Sequence, residues 1–260
     1  MITLKSKREI KGMYEAGQIL AELYLKLNKF IKPGITGLDI EDFATSFFTK
    51  KHVIPEEKGF EGYKYATCVS INDEVCHGTP RNIRLKNGDL VKVDTVISLN
   101  GYISDSCWAF AVGDVNSKVK KLMQVTKKAL YLGIDQAVIG NRIGDIGYAI
   151  QHYVEDEMGY GDVREYVGHG IQPTMHEDPM VPAYGDKHKG LRLKEGMTLT
   201  IEPMVNIGDW HCAPADERDG WTVRTLDGSL SCQYEHTIAV TKDGPKILTS
   251  QNHEEDAKYL

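Results

Sequence analysis

Apolar positions at the start of the chain recur with helical spacing. Ile10, Met13, Gly17, Leu20, Leu23 (or Tyr24) and Leu27 fall on one helical face. Ser6-Lys7-Arg8-Glu9 supplies a capping box before them, and Lys32-Pro33-Gly34 stops the helix. Thr36 can cap a second helix whose stripe is Ile40, Phe43, Ala44 and Phe47. Lys58 to Lys64 reads as a loop, Thr67 to Ile71 as a strand, Asn72-Asp73-Glu74 as a turn and Val75 to Gly78 as the return. Arg81 to Gly88 leads into the strongest β pattern. Beyond it, Asn116 or Ser117 caps a long helix running to Gly133, and Val138-Ile139-Gly140 breaks it. Ile143 to Met158 reads as a further helix and Val163 to Gly168 as a strand ending in Gly168-His169-Gly170. Pro173, Pro179 and Pro182 mark a loop holding His176. Met197 to Ile201 reads as a strand closed by Glu202-Pro203, Ala213 to Gly220 as a polar loop, and Leu230 to Val240 as one strand carrying Glu235. The tail from Asp243 reads as turn and surface.

The strongest β pattern, Asp89 to Trp108, predicts a hairpin. Val91, Val93, Val96, Ile97 and Leu99 suit a buried strand, and Asn100-Gly101 tolerates the positive φ of a two-residue turn. With that turn Leu99 faces Tyr102, Val96 faces Asp105 and Asp94 faces Cys107. Asp94 and Asp105 then share one face as diagonal neighbours, their α-carbons about 7–8 Å apart. Aspartate in a strand is more often an edge residue turned to water. Two carboxylates on an apolar face repel and lose hydration, which a cation between them offsets. Ions of a two-metal site lie about 3.5–4 Å apart, so the diagonal has room for a pair.

The pattern repeats. Leu85-Lys86-Asn87-Gly88 through Asp94 aligns with Leu193-Lys194-Glu195-Gly196 through Glu202, an offset of 202 − 94 = 108. Gly34 and Asp39-Ile40 align with Gly140 and Asp145-Ile146, an offset of 140 − 34 = 106. Each half runs helix, helix, strands, and each carries a second acid on a later strand, Asp105 or Glu235. Two matches at nearly one offset predict a duplicated fold: one catalytic domain over 1–260, with halves near 1–112 and 113–250. An approximate two-fold axis would bring the four carboxylates together.

Composition narrows the class. Of 260 residues, 41% are hydrophobic and 26% charged, as in a soluble globular protein. No apolar run is long enough to span a membrane, and Met1 to Glu15 lacks an export signal core. The five scattered cysteines, Cys68, Cys76, Cys107, Cys212 and Cys232, predict reduced thiols in a cytoplasmic enzyme. The net charge of −6 argues against a direct nucleic-acid role, and Lys118, Lys120, Lys121, Lys127 and Lys128 read as a solvated helix face. His52, His152, His188, His211 and His253 read as surface residues, and His236 alternates to the sheet face opposite Glu235.

The collected set is Asp94, Asp105, His169, Glu202 and Glu235. Oxygen donors plus one imidazole suit Mn(II), Fe(II), Co(II) or Zn(II). The words Lys-Val-Asp-Thr at 94, Ile-Ser-Asp-Ser at 105, Gly-His-Gly-Ile at 169, Thr-Ile-Glu-Pro-Met at 202 and Gln-Tyr-Glu-His-Thr at 235 resemble, in this order, the type I methionine aminopeptidases. The resemblance covers nearly the whole chain. It implies the α+β pita-bread fold, two pseudo-two-fold-related halves with a curved antiparallel sheet flanked by helices. It also implies removal of N-terminal methionine from nascent chains, preferably before a small second residue. Asp94 then corresponds to a bidentate ligand of one ion, Asp105 and Glu235 to bridging carboxylates, and His169 and Glu202 to ligands of the other ion. His77 and His176 correspond to substrate-contacting histidines, with Glu202 as base. Cys68, Tyr63, Tyr65 and Trp221 correspond to the methionine pocket and its mouth. Met175 stands where many members have an aromatic, and Asp94-Thr95 lacks a valine that many place between.

The resemblance further implies a short bacterial-type chain with no N-terminal zinc finger; a monomer is the default expectation, and transient ribosome contact would suit nascent-chain processing. An X-Pro aminopeptidase or prolidase is the alternative enzyme, though those carry an added N-terminal domain. A non-catalytic binding protein on the same fold is the other alternative, though such relatives lose metal ligands.

Overall fold

A computed structural model describes residues 1–260. The first half contains α1 (Lys7–Phe30), α2 (Gly37–Lys51), β1 (Ile54–Pro55), β2 (Cys68–Ile71), β3 (Glu74–Cys76), β4 (Leu90–Leu99) and β5 (Tyr102–Ala111). The second contains α3 (Ser117–Asp135), α4 (Ile143–Gln151), β6 (Gly161–Asp162), β7 (Gly168–Gly170), β8 (Glu177–Val181) and β9 (Thr198–Ile201). It continues with β10 (Met204–Asn206), β11 (Val223–Arg224), β12 (Ser231–Gln233), β13 (His236–Thr241) and β14 (Gly244–Ile247).

α1 starts at the expected capping box, in which Ser6 and Glu9 each satisfy the other's backbone N–H. Its buried stripe, including Met13, Leu20, Tyr24 and Leu27, packs on β5 and β4. β4 pairs with β5 along its whole length, in the register expected: Leu99 opposite Tyr102, Val96 opposite Asp105, Asp94 opposite Cys107. β2 and β1 share its other edge. The second half centres on an antiparallel sheet of order β14-β13-β9-β7-β8. Each half has its own core, one between α1, α2 and the β4 sheet, the other between α3, α4 and the β9–β13 strands.

Matching positions of the two halves share local structure. Asp39 accepts the Thr36 N–H and Asp145 accepts the Arg142 N–H, both at 2.7 Å. Thr36 bridges to Arg84 as Arg142 bridges to Arg192. In both halves the chain after the glycine thus ties back to the stretch leading into a central strand.

The halves meet where β5 crosses the segment leading into β13. The Asp105 N–H donates to Thr237 Oγ1 at 3.0 Å, and that hydroxyl donates to Asp105 O at 2.8 Å. The Glu235 N–H donates to Cys107 O at 2.9 Å, and Ser106 Oγ donates to Glu235 O at 2.7 Å. A second stitch lies deeper. The fully buried Lys92 ammonium donates to Asn72 O at 3.1 Å and Ser231 O at 2.9 Å, one carbonyl from each half.

Several sequence expectations change. The helix expected to reach Met158 is α-helical only to Gln151 and continues as a π-helical turn, His152–Glu157. Val163 to Val167 form no strand; β6 and β7 flank them instead. The proline-bearing loop contains β8, where Pro179 sits on an edge strand that tolerates its missing N–H. The single strand expected over Leu230 to Val240 is two, β12 and β13, in different sheets, broken at Tyr234-Glu235. The tail is not all surface, since β14 pairs with β13 and buries Ile247. All five cysteines are free, and no helix is long and apolar enough to cross a membrane.

α1 approaches this tail closely enough that a methyl at Gly17 would meet Leu248 O at 2.3 Å. Gly17→Ala should therefore destabilise the protein by about 1–3 kcal/mol in urea unfolding, despite alanine's better helix propensity. Unchanged or increased stability would contradict this packing.

Candidate metal centre and substrate cavity

The hairpin presents Asp94 and Asp105 on one face, as the register requires. Asp105 is buried and its Oδ1 has no hydrogen-bond partner. Glu235 projects from the break between β12 and β13; it too is buried, with Oε1 unpartnered. His169 lies in β7 between two glycines packed against neighbouring backbone. A methyl at Gly168 would meet Thr200 O at 2.6 Å, and one at Gly170 would meet Asp178 O at 2.2 Å. His169 Nδ1 is 3.0 Å from Gly170 O, which leaves Nε2 facing the carboxylates. Nε2 is 3.5 Å from Asp105 Oδ2 and 3.7 Å from Glu202 Oε1. Glu202 follows β9 and accepts from Thr200 Oγ1 at 2.8 Å and Gln233 Nε2 at 3.3 Å. Ligand atoms of Asp105, His169 and Glu235 lie within 4.8 Å of one another. Asp94 and Glu202 line the same cavity beside this trio.

The charges are out of balance. Burial, then Asp105 and neighbouring carboxylates, pushes the Asp94 and Glu235 carboxyls far above their ordinary range. Burial raises Glu202 from 4.5 to about 7. Burial opposes a charged His169, yet Asp105 and Glu202 outweigh it and raise the imidazole to about 9. No lysine or arginine ion-pairs with any of the four carboxylates. Hard oxygen donors, one imidazole with a free nitrogen and two unpartnered buried oxygens together fit divalent cations.

The cavity above has a volume of about 310 Å³. His77, His176, Tyr63, Cys68, Met175 and Trp221 line it. Tyr65 does not; it packs edge-on against Tyr63, ring centroids 5.8 Å apart. His176 stands edge-on to His169 at 4.4 Å and to Phe60 at 5.4 Å. His77 has φ of +53°, a strained value for a side-chain-bearing residue, and stands edge-on to Tyr166 at 5.4 Å. Burial, then the neighbouring His176, lowers His77 to about 4, so it is neutral near pH 7. His236 lies outside the cluster, buried, with Nδ1 2.8 Å from Thr249 Oγ1. Glu57, Phe60, Tyr166, Met180 and Met204 also line the cavity but were not singled out from the sequence. They sit in loops or short strands without periodicity, so no pattern marks them.

Residues 11–242 match metallopeptidase family M24, and the chain belongs to that family. Within it the chain is a methionine aminopeptidase by kinship. It is 46% identical over 249 residues to methionine aminopeptidase 1 of Bacillus subtilis, covering 96% of this chain and 99% of that one. The crystal structure of methionine aminopeptidase from Rickettsia prowazekii superposes with a TM-score of 0.94 at 42% identity, covering 96% of this chain and all of that one. A streptococcal methionine aminopeptidase structure gives 0.90 at 50% identity, covering 97% and 98%. The prolidase of Pyrococcus horikoshii gives 0.74 at 23% identity, with 96% of this chain aligned to 64% of that one, a likeness of fold. The fold is therefore the pita-bread fold that the motifs implied.

The raised Glu202 has a consequence for stability. The unfolded chain gives up this proton near pH 4.5 and the folded one near 7, so a penalty on the folded state grows across that interval. In chelator-treated protein, Glu202→Gln should melt above the parent at pH values over 7, the two converging below pH 4.5. Equal melting temperatures at all pH values would show that Glu202 carries no such penalty.

Proposed function

We propose that the protein hydrolyses the peptide bond after an N-terminal methionine, using Asp94, Asp105, His169, Glu202 and Glu235 to hold two divalent cations. The observation that carries this reading is the convergence of Asp105, His169 and Glu235 at a cavity that also holds His77 and His176. Such cations, when bound, polarise a carbonyl and make water a nucleophile near neutral pH. The protein's own groups do the rest. Glu202, oriented by Thr200 and Gln233, accepts the water proton and passes it to the leaving amine. His176, held against His169 and Phe60, donates to the oxygen on which charge develops. Neutral His77 contacts the peptide beyond the cleaved bond. Tyr63, Cys68, Met175 and Trp221 enclose the methionine side chain, with Tyr65 supporting Tyr63 from behind.

The same reading assigns cobalt, manganese, iron or zinc to the seam and a small second residue to the substrate. It assigns nascent polypeptide N-termini as substrates, with transient ribosome contact, no membrane and no direct nucleic-acid role. It describes a cytoplasmic monomer and a single catalytic domain, 1–260, built from an internal repeat. The matching caps and bridges of the two halves support the repeat.

The test is turnover of a Met-Ala-Ser peptide by chelated protein refilled with Mn(II) or Co(II). Metal-dependent release of methionine, with no cleavage of an X-Pro dipeptide, is expected. Cleavage of the X-Pro substrate instead would favour the prolidase reading, and background activity with every metal would favour a binding protein. Asp105→Asn should lower metal content after dialysis, measured by elemental analysis; unchanged content would remove Asp105 from the ligand set. Glu202→Gln should reduce kcat by several orders of magnitude while the protein stays folded; near-normal turnover would exclude it as base.

A further inference from the structure

Of the two acids in the cavity wall that the hydrolytic reading leaves unused, Glu57 and Glu61, Glu57 has a buried, unpartnered oxygen. Its backbone is pinned beside β4. The Glu56 N–H donates to Val96 O at 2.9 Å, and Ser98 Oγ donates to the Glu56 carboxylate. This holds Glu57 against Cys68, whose Sγ donates to Glu57 Oε1 at 3.7 Å. Cys68 pairs with Asp94 across β2 and β4, so Glu57 belongs to the wall beside the carboxylate seam. Tyr63 and Trp221 stand in the same wall with ring centroids 5.0 Å apart. The other Glu57 oxygen, Oε2, is buried and has no hydrogen-bond partner. No lysine, arginine or histidine ion-pairs with the carboxyl. A buried oxygen in that condition loses its hydration without recompense, so a group that met it would be favoured over one that did not.

We propose that Glu57 is a specificity-determining residue for the first side chain of the substrate, making the pocket receptive to side chains of methionine's length that end in a hydrogen-bonding oxygen. The proposal rests on the aminopeptidase reading above and deepens it. Methionine itself leaves the carboxyl poorly satisfied, because a thioether sulfur is only a weak acceptor. Methionine sulfoxide has the same chain length and places a strong acceptor at the sulfur position. Buried and without a cationic partner, the Glu57 carboxyl is pushed, first by burial and then by its acidic neighbours, well above its ordinary range toward the neutral form, which has an O–H to donate. A glutamine at this position retains a donor, whereas a leucine has none. Sites with a hydrogen-bonding group discriminate more sharply than apolar pockets that only measure volume.

The test is competition between Met-Ala-Ser and its methionine sulfoxide counterpart, using Mn(II)-loaded parent, Glu57→Gln and Glu57→Leu proteins. The readout is the ratio of kcat/KM values, which cancels differences in folded or metal-loaded fraction. The parent is expected to cleave both peptides. In Glu57→Leu the sulfoxide-to-methionine ratio should fall about tenfold or more, with Glu57→Gln staying near the parent. A smaller fall, a Glu57→Gln protein behaving like Glu57→Leu, or a parent that leaves the sulfoxide peptide intact would each overturn the proposal. If the leucine variant does not fold, Glu57→Ala makes the same comparison. Failure of the parent to cleave Met-Ala-Ser would instead sink the aminopeptidase reading itself.

Discussion

Everything at the centre of this molecule depends on the crossing of β5 with the Glu235–Thr237 segment. One hydroxyl, Thr237 Oγ1, both accepts from the Asp105 N–H and donates to Asp105 O. Ser106 Oγ and the Glu235 N–H complete the join. These contacts fix the backbones of Asp105 and Glu235, one from each half, before their side chains meet. The chain must break its strand at Tyr234-Glu235 for this to happen, because β12 and β13 serve different sheets. That break turns Glu235 into the seam. His169 is delivered from a third direction, between glycines that let β7 press against the backbone of β9 and β8.

A cluster so arranged works against the folded state. Four carboxylates approach one another with water largely removed, and the His169 imidazole is the one basic group that pairs with any of them. The cost is carried by two well-packed cores, one on each side of the seam, and by the Lys92 stitch between them. Cations that bind the folded form alone shift the balance back. The protein thus trades stability for a preorganised site, a pattern common at active centres. The lowered His77 and the raised Glu202 share one leading cause, burial in the seam.

The legible parts of the sequence were those governed by short-range rules. The β4–β5 register followed from one Asn-Gly turn and strict alternation, and it placed Asp94 and Asp105 correctly. The capping box of α1 followed from Ser6/Glu9, and the start of α2 from Thr36 as its cap. Less legible were features decided by long-range packing. Leu230 to Val240 reads as one apolar strand, because the break at Glu235 comes from the crossing with β5 rather than from a turn residue. β14 has a polar exposed face and is held in place by β13 and α1. Glu57 and Tyr166 enter the cavity from irregular segments, where neither period nor cap marks a position. The candidate ligand set could be assembled from the sequence only because its motif words stand in a distinctive order.

The central claim is that five side chains from separate elements surround a pair of ions in the seam. Crystals of Mn(II)-loaded protein, measured at the manganese absorption edge, test it most directly. Two anomalous peaks are predicted, flanked by Asp105 and Glu235 on both sides, with Asp94 at one and His169 and Glu202 at the other. A peak elsewhere, or none within bonding distance of His169 Nε2 and the Glu235 carboxylate, would contradict the account.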